Sequence, residues 1–385
     1  MERMVELCGR IDSSNAGKLE EALLAECEKH GTIVLDANGL EYISSAGLRV
    51  LLKLRKKQGC LEVRNVSTEV NEIFEVTGLS DMLTIRKKLR QVSVDNCELI
   101  GKGGNGSVYR ISEDDIIKVY TDRTPLSSIE SERELARSAF VAGVPTAIPY
   151  DMVKVGDDYG IIFEMVKADV IARKFMNEPE NFDAYAEKYA ELFKEIHTVK
   201  LSGKGLAATS QIYLSYLDRL EGWYDEKELE RLRWFIQQIP EKETMVHGDF
   251  HTNNVMVQGG ELLIIDMAEI SYGNPIYDLA SSYYAHMLNP RLDPDSVMRY
   301  LNVTPEIALR LWSVMMERYF DTTDKAIIDR NNKTIEGFCL LKQALIPAIW
   351  VNMPDEHKKS SVGAARMHFF PKMESLLDDL NRMIR

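Results

Sequence analysis

Apolar residues over positions 1–92 fall into short runs separated by helical stripes. Val5 to Gly9 reads as a strand, and Asn15 to Lys29 as an amphipathic helix with Leu19, Leu23, Leu24 and Cys27 at three- and four-residue spacing. Thr32 to Leu35 reads as a buried strand, and Ser45 to Gln58 as a helix with Leu48, Leu51, Leu52 and Leu54 on its apolar side. A strand at Leu61–Val63, a helix at Thr68–Thr77 ended by Gly78, and a strand at Met82–Ile85 complete the set. Strands alternating with helices at this spacing predict a small open α/β sheet with crossover helices. The pattern then changes. Strand-like Ser107–Ile111 and Ile116–Tyr120 precede a helix at about Ser127–Ala142 and a buried strand at Ile161–Val166. Helices at Ala184–His197, Gln211–Tyr224 and Glu226–Gln238 lead to a hairpin, Val255–Val257 and Leu262–Ile265 around Gly259-Gly260. The last third is helical at Ile307–Tyr319, Ile335–Leu345 and His368–Ile384. This is an α+β chain of two domains, 1–92 and 93–385. The junction Leu89–Asn96 has no Pro/Gly-rich linker, which predicts a short and fairly stiff connection.

Composition narrows the function. The 385 residues carry a net charge of −13, while residues 1–92 balance 14 basic against 14 acidic side chains, so the whole excess lies in residues 93–385. An acidic domain argues against a nucleic-acid partner, and fits either a solvated surface or a cationic substrate. The N-terminus shows no signal-peptide pattern, and no apolar run approaches a membrane span; Ala344–Val351 is short and contains Pro347. Five cysteines without C-x-x-C spacing read as free thiols, so a cytoplasmic protein without a membrane partner is expected.

The densest chemistry lies in MVHGDFHTNNVMVQGGELLIIDMAE, Met245 to Glu269. A hairpin brings its two ends together, gathering Asp249, Asn254 and Asp266. Two carboxylates and an amide oxygen suit a hard cation such as Mg²⁺ shared with substrate phosphates. His247 and His251 have zinc-pair spacing, but Gly248 and Thr252-Asn253-Asn254 do not make the helix that such a pair needs. Upstream, Gly101, Gly103, Gly104 and Gly106 with Val108 sit between strands, which excludes a dinucleotide-type turn and suits a phosphate-covering hairpin. Lys118 lies inside the apolar run Ile116–Val119, where an unpaired ammonium is costly. Among Glu130, Glu132 and Glu134, Glu132 shares the buried stripe with Leu135, Ala136 and Ala139 and is the expected partner.

His-Gly-Asp-x-x-x-x-Asn followed by an apolar strand ending in Asp resembles the aminoglycoside phosphotransferase and choline kinase group, which has a protein-kinase-like fold. That resemblance implies a bilobal phosphotransferase with an N-lobe at about 93–163, a hinge at about 164–168 and a helix-rich C-lobe at about 169–385. It implies that ATP is covered by the glycine hairpin, that Lys118 contacts its phosphates, and that Glu164, Met165 and Val166 meet the adenine edge. Asp249 would orient the acceptor hydroxyl, Asn254 and Asp266 would hold Mg²⁺, His247 would be a packed scaffold residue, and Asp278 would brace the catalytic loop, with a helix N-cap as its plainer alternative. Asp266-Met267-Ala268-Glu269 departs from the Phe-Gly that often follows the metal-binding Asp. Trp312, Tyr319, Trp350 and Phe369 would line the acceptor pocket or fill the core.

Leu35 to Leu54, with Asp12 and Val76-Thr77-Gly78-Leu79, resembles the STAS domain of anti-sigma factor antagonists. Two departures stand out: the family's first strand is missing, and Ser44 stands where many members have Asp. By that resemblance Ser45 is the phosphosite candidate and the domain a surface for a protein partner; by residue type alone, Ser44 or Ser45 is a helix N-cap. The expected function is ATP-dependent O-phosphotransfer to a small hydroxyl-bearing molecule, with the STAS module for regulation or docking. The alternative is a signalling kinase acting on a STAS serine, Ser45 in cis or one on a partner.

Overall fold

The structure is a computed structural model and describes residues 3–103, 106–121, 124–201 and 205–383. Contacts divide the chain into two compact units, Met1–Ser93 with Met152–Asp157, and Val94–Asp151 with Asp158–Arg385.

In the first unit, strands β1 (Arg3–Ile11), β2 (Ile33–Ile43), β3 (Glu62–Val66) and β4 (Thr84–Lys87) form a parallel sheet in that order. Helices α1 (Ala16–His30), α2 (Ser45–Gln58) and α3 (Thr68–Val76) make the crossovers, as parallel strands require. Ion pairs Lys53–Glu20 (2.8 Å) and Lys57–Glu28 (2.6 Å) set α2 beside α1. Leu7, Leu35, Leu51, Val63 and Phe74 are among the fully buried side chains, each contributing roughly 1.5–3 kcal/mol by leaving water. Gly47 allows α2 to lie close on the sheet, since a Cβ there would meet Ile11 and Ile43 at 2.6 Å. Strand β2 runs well past the expected Leu35. Asp-Ala-Asn-Gly has the composition of a turn, yet it is held extended, with Asp36 Oδ1 accepting from Asn38 N–H and register shifts opposite Cys8. Ser44 stands at the N-cap of α2, but its hydroxyl makes no capping bond and is buried without a partner among the described residues, so the simple capping role does not hold for it.

The second unit begins with a sheet. Glu98–Gly103, Gly106–Arg110 and Asp115–Tyr120 pair antiparallel in sequence, and Asp158–Glu164 joins the last of these. Helix α4 (Leu126–Val141) buries Ile129, Glu132, Ala136 and Ala139 at three- and four-residue spacing. Everything beyond is helix-rich. Helix Phe182–Ile196 places Tyr189 and Phe193 against Phe250, at 4.8 and 4.6 Å between ring centroids. Trp312 and Phe369 are fully buried core residues, Tyr319 is tied to His197, and Trp350 is 39% exposed. Three expected helices differ in extent. Gln211–Tyr224 is instead a helix at Thr209–Tyr216 with a short 3-10 turn after it; Ile335–Leu345 grows to Lys325–Ile349; and His368–Ile384 is helical but irregular, a π-helix at Ala365–Phe369 and a 3-10 turn at Phe370–Lys372 leading into the α-helix Met373–Met383. Among the described residues, no helix is long and apolar enough to cross a membrane.

Candidate active site

The site is assembled at the ends of short strands. Val255–Gln258 and Glu261–Ile264 pair antiparallel, and the two-residue turn Gly259-Gly260 has φ of 59° and 88°, the left-handed pair that a tight hairpin favours. This hairpin puts Asn254 at one end and Asp266 at the other, joined by Ile265 N–H donating to Asn254 O at 2.8 Å. Asp266 itself sits at φ 63°, a backbone region that few residues other than Gly, Asn and Asp enter.

Lys118 projects from the strand Asp115–Tyr120 toward α4. Its Nζ is 2.7 Å from Glu132 Oε1 and 3.5 Å from Asp266 Oδ1. Burial alone would push this ammonium down, but the Asp266 and Glu132 carboxylates outweigh it and hold it above its usual value. Glu134, also on this helix, is exposed and pairs with Arg133 at 2.9 Å. Gly106 is required for space. A Cβ there would fall 2.2 Å from Val119 O, so only glycine lets the hairpin lie this close to the strand bearing Lys118.

Asp249 is half open to solvent, although protein atoms surround its base. Burial would raise its carboxyl, but the His251 hydrogen bond and the charges of His251, His247 and Lys342 hold it well below the ordinary carboxylate range. Asn254 donates its amide to Asp249 O (2.9 Å) and Oδ2 (3.2 Å), and His251 Nε2 lies 3.3 Å from the same carboxylate. Among the described residues no hydrogen bond falls on Asn254 Oδ1.

Beneath this loop Asp278 is completely buried and lies within the helix Ile276–Tyr283, not at its cap. It accepts from His247 N–H (2.6 Å), Gly248 N–H (2.7 Å) and His197 Nε2 (3.1 Å). Burial pushes its carboxyl up, and these bonds with the His197 charge outweigh that and lower it. His247 is fully buried, which pushes its imidazole down, and its Nδ1 accepts from Asp249 N–H at 3.2 Å.

A cleft of about 540 Å³ opens beside these groups. Its wall includes Gly101, Gly106, Val108, Lys118, Glu132, Glu164, Met165, Val166, Asn254 and Asp266; Gly103 pairs with Gly106 at the hairpin end, and Gly104 lies outside the described residues. At its far edge Glu164 N–H bonds Ile148 O and Met165 N–H bonds Asp114 O, while Val166 N–H has no backbone partner among the described residues. Asp249 is not in this wall and reaches it through Asn254. The sequence reading did not pick out Ile100, Met256 and Ile265, the apolar faces of the cleft, or Arg173 at its rim. Nor did it find His197, whose position in an ordinary amphipathic helix gives no signal. Ser45 is exposed at the first turn of α2, in the other unit.

A largely apolar cleft that ends in a lysine, an amide and two carboxylates is suited to a flat ring between its walls and a polyphosphate at its polar end. A model of the phosphotransferase enzyme family matches residues 96–311, more than half of the chain, and one described as Mlab, STAS domain matches residues 2–85. The chain belongs to the phosphotransferase enzyme family, with a STAS domain at its front. That front part is 40% identical over 84 residues to a Bordetella bronchiseptica protein described as an anti-sigma factor antagonist, covering 20% of this chain and 72% of the relative. It is 33% identical over 88 residues to an anti-sigma-B factor antagonist of Bacillus subtilis, covering 22% and 81%. Among solved structures, the phosphotransferase is similar to the streptomycin–ATP complex of an aminoglycoside phosphotransferase, APH(2″)-IIa. That match has 16% identity and a TM-score of 0.46, over 72% of this chain and 92% of that one. A choline/ethanolamine kinase family protein from Mesorhizobium loti matches at 15% identity and TM-score 0.45, over 74% and 92%.

Proposed function

We propose that the phosphotransferase unit moves the terminal phosphoryl group of ATP to a hydroxyl of a small molecule, and that the STAS unit regulates or docks it. The observation that carries this reading is Lys118, held between Glu132 and Asp266 in the wall of the cleft that Asn254 also lines. A paired lysine there keeps its charge and can meet two phosphates without a further conformational search.

The donor set fits magnesium: Asp266 and the uncommitted Oδ1 of Asn254 are hard oxygens, two in number, as suits an ion that keeps water and phosphate ligands. When bound there, Mg²⁺ supplies charge neutralisation to the phosphate oxygens. Lys118 holds the phosphates, and the glycine hairpin covers them. Asp249, kept ionised and steered by Asn254 and His251, accepts the acceptor's hydroxyl proton as its oxygen approaches phosphorus. Asp278 fixes the loop backbone on which Asp249 stands.

The test is Asp249→Ala. ATP binding should stay within about twofold of wild type, while transfer should fall by roughly 10²–10⁴. Equal ATP turnover in both proteins removes the role given to Asp249.

The exposure of Ser45 at a helix N-terminus favours a second reading, phosphorylation of a STAS serine by this chain or on a partner. Peptide mass spectrometry after incubation with ATP and magnesium decides it: phosphate on Ser45 in wild type and not in Asp249→Ala supports the signalling reading, and an unmodified Ser45 with ATP bound returns the acceptor to small molecules.

A further inference from the structure

Gly248, the residue before Asp249, is approached from two sides by side chains of opposite charge. On one side, Ser281 Oγ donates to Gly248 O at 3.0 Å and itself receives the ammonium of Lys342, from the helix Lys325–Ile349. On the other, Glu269 packs so closely that a Cβ on Gly248 would lie 3.0 Å from Glu269 Cβ and 3.4 Å from Oε2. Among the described residues neither charge has a counter-ion within ion-pair distance, and they do not pair with each other. Lys342 is half-buried, and a single hydroxyl replaces only part of the hydration that its ammonium loses. Burial raises the Glu269 carboxyl, opposed by Lys342 and reinforced by Asp249, Asp266 and Asp278. Tyr213 and Tyr216, on the helix Thr209–Tyr216, lie within electrostatic reach of Glu269, and aromatic faces near a carboxylate add to its attraction for an ammonium group.

We propose that the acceptor is zwitterionic: a hydroxyl compound whose carboxylate is received by Lys342 and whose ammonium is received by Glu269 with Tyr213 and Tyr216, leaving the hydroxyl at Asp249. This rests on the phosphotransferase reading and adds to it the class of substrate. An amino alcohol leaves Lys342 without a partner, a hydroxy acid leaves Glu269 without one, and a polycation meets repulsion from Lys342. The chemical step balances: the acceptor oxygen forms a bond to the γ-phosphorus, its proton passes to Asp249, the bond from that phosphorus to the β–γ bridging oxygen breaks, and ADP leaves with the electron pair.

The test uses the full chain with ATP and magnesium and measures ADP release and phosphorylated product. Four acceptor classes are compared: hydroxy amino acids (serine, homoserine), amino alcohols (ethanolamine, choline), a hydroxy acid (glycerate) and a polycation (kanamycin). Turnover should be greatest with a hydroxy amino acid. Lys342→Met should raise the KM for that acceptor about ten- to hundredfold, leaving the KM for ATP in place, and Lys342→Arg should restore part of it. Thermal melts of both variants separate loss of fold from loss of recognition. Preference for another class, no transfer to a hydroxy amino acid by a protein that binds ATP, or an acceptor KM that Lys342→Met does not move, each overturns the proposal. Asp249-dependent transfer to another class leaves the phosphotransferase reading standing, whereas failure to bind ATP removes both.

Discussion

Replacing Asp278 by asparagine tests whether the loop His247–Asp249 is held by charge or merely packed. The carboxylate receives two backbone N–H groups at 2.6 and 2.7 Å and the His197 imidazole at 3.1 Å, with no exposure to water. Asparagine offers one acceptor oxygen, so one backbone N–H must face an NH₂ group and is left buried without a partner. A lost charge-assisted bond costs roughly 1.5–3 kcal/mol and a stranded buried donor about 1–3 more, so about 3–5 kcal/mol of stability should go. For a unit of this size each kcal/mol moves the melting temperature by about 2–4 °C, which places the variant roughly 10 °C below wild type. Thermal unfolding by circular dichroism at neutral pH reads this directly. The carboxyl is depressed in the folded state, so its contribution is complete above the unfolded value near about 4 and fades as pH falls through the folded value. Asp278→Asn should therefore have a flatter acid limb than wild type. A variant that melts within about 2 °C of wild type, with the same acid limb, would refute the bracing argument.

Three further outcomes follow from the same geometry. Glu132→Gln should raise the KM for ATP by roughly tenfold in a steady-state assay, because Lys118 loses its 2.7 Å partner and relaxes toward Asp266; an unchanged KM would separate the pair from nucleotide binding. Gly106→Ala should weaken ATP binding in calorimetry, since its Cβ must push against the Val119 carbonyl and part the two strands; normal affinity would mean that the hairpin has slack. His286, fully buried with Nδ1 on Ser282 O and its pKa pushed down to about 4, stays neutral when folded. The unfolded chain takes up a proton near about pH 6.5, so stability should be complete above that and fall by about 2 kcal/mol toward pH 4.5. Urea titrations should show that extra loss in wild type and not in His286→Gln.

Much of the architecture could be read from the chain because its signals are local. Alternating strands and helices over 1–92 gave α2 its limits, Ser45 to Gln58, and Gly259-Gly260 marked the hairpin that carries Asn254 and Asp266. Lys118 and Glu132 stood out as charges in apolar stripes, a cost that sequence exposes plainly. What stayed hidden was decided by distant neighbours. Strand β2 continues through Asp-Ala-Asn-Gly because β1 supplies a partner ladder that propensity does not record. The tightness at Gly106 depends on Val119, in the next strand. Lys342 lies in a helix without a motif, and only the fold brings it to Ser281 and the loop that bears Asp249.

The left-handed backbone at Asp266 bears on how a chain of this kind can change over generations. Most replacements there strain the main chain and would be lost with the fold. Glycine and asparagine are the exceptions: both tolerate the same φ and are one base change from aspartate, and asparagine also nearly matches its shape. Asparagine removes a charge beside Lys118 and keeps the shape of the cleft. On the function proposed above, enzyme and nucleotide-binding sensor are thus adjacent in sequence space, and descent can cross between them without passing through an unfolded intermediate.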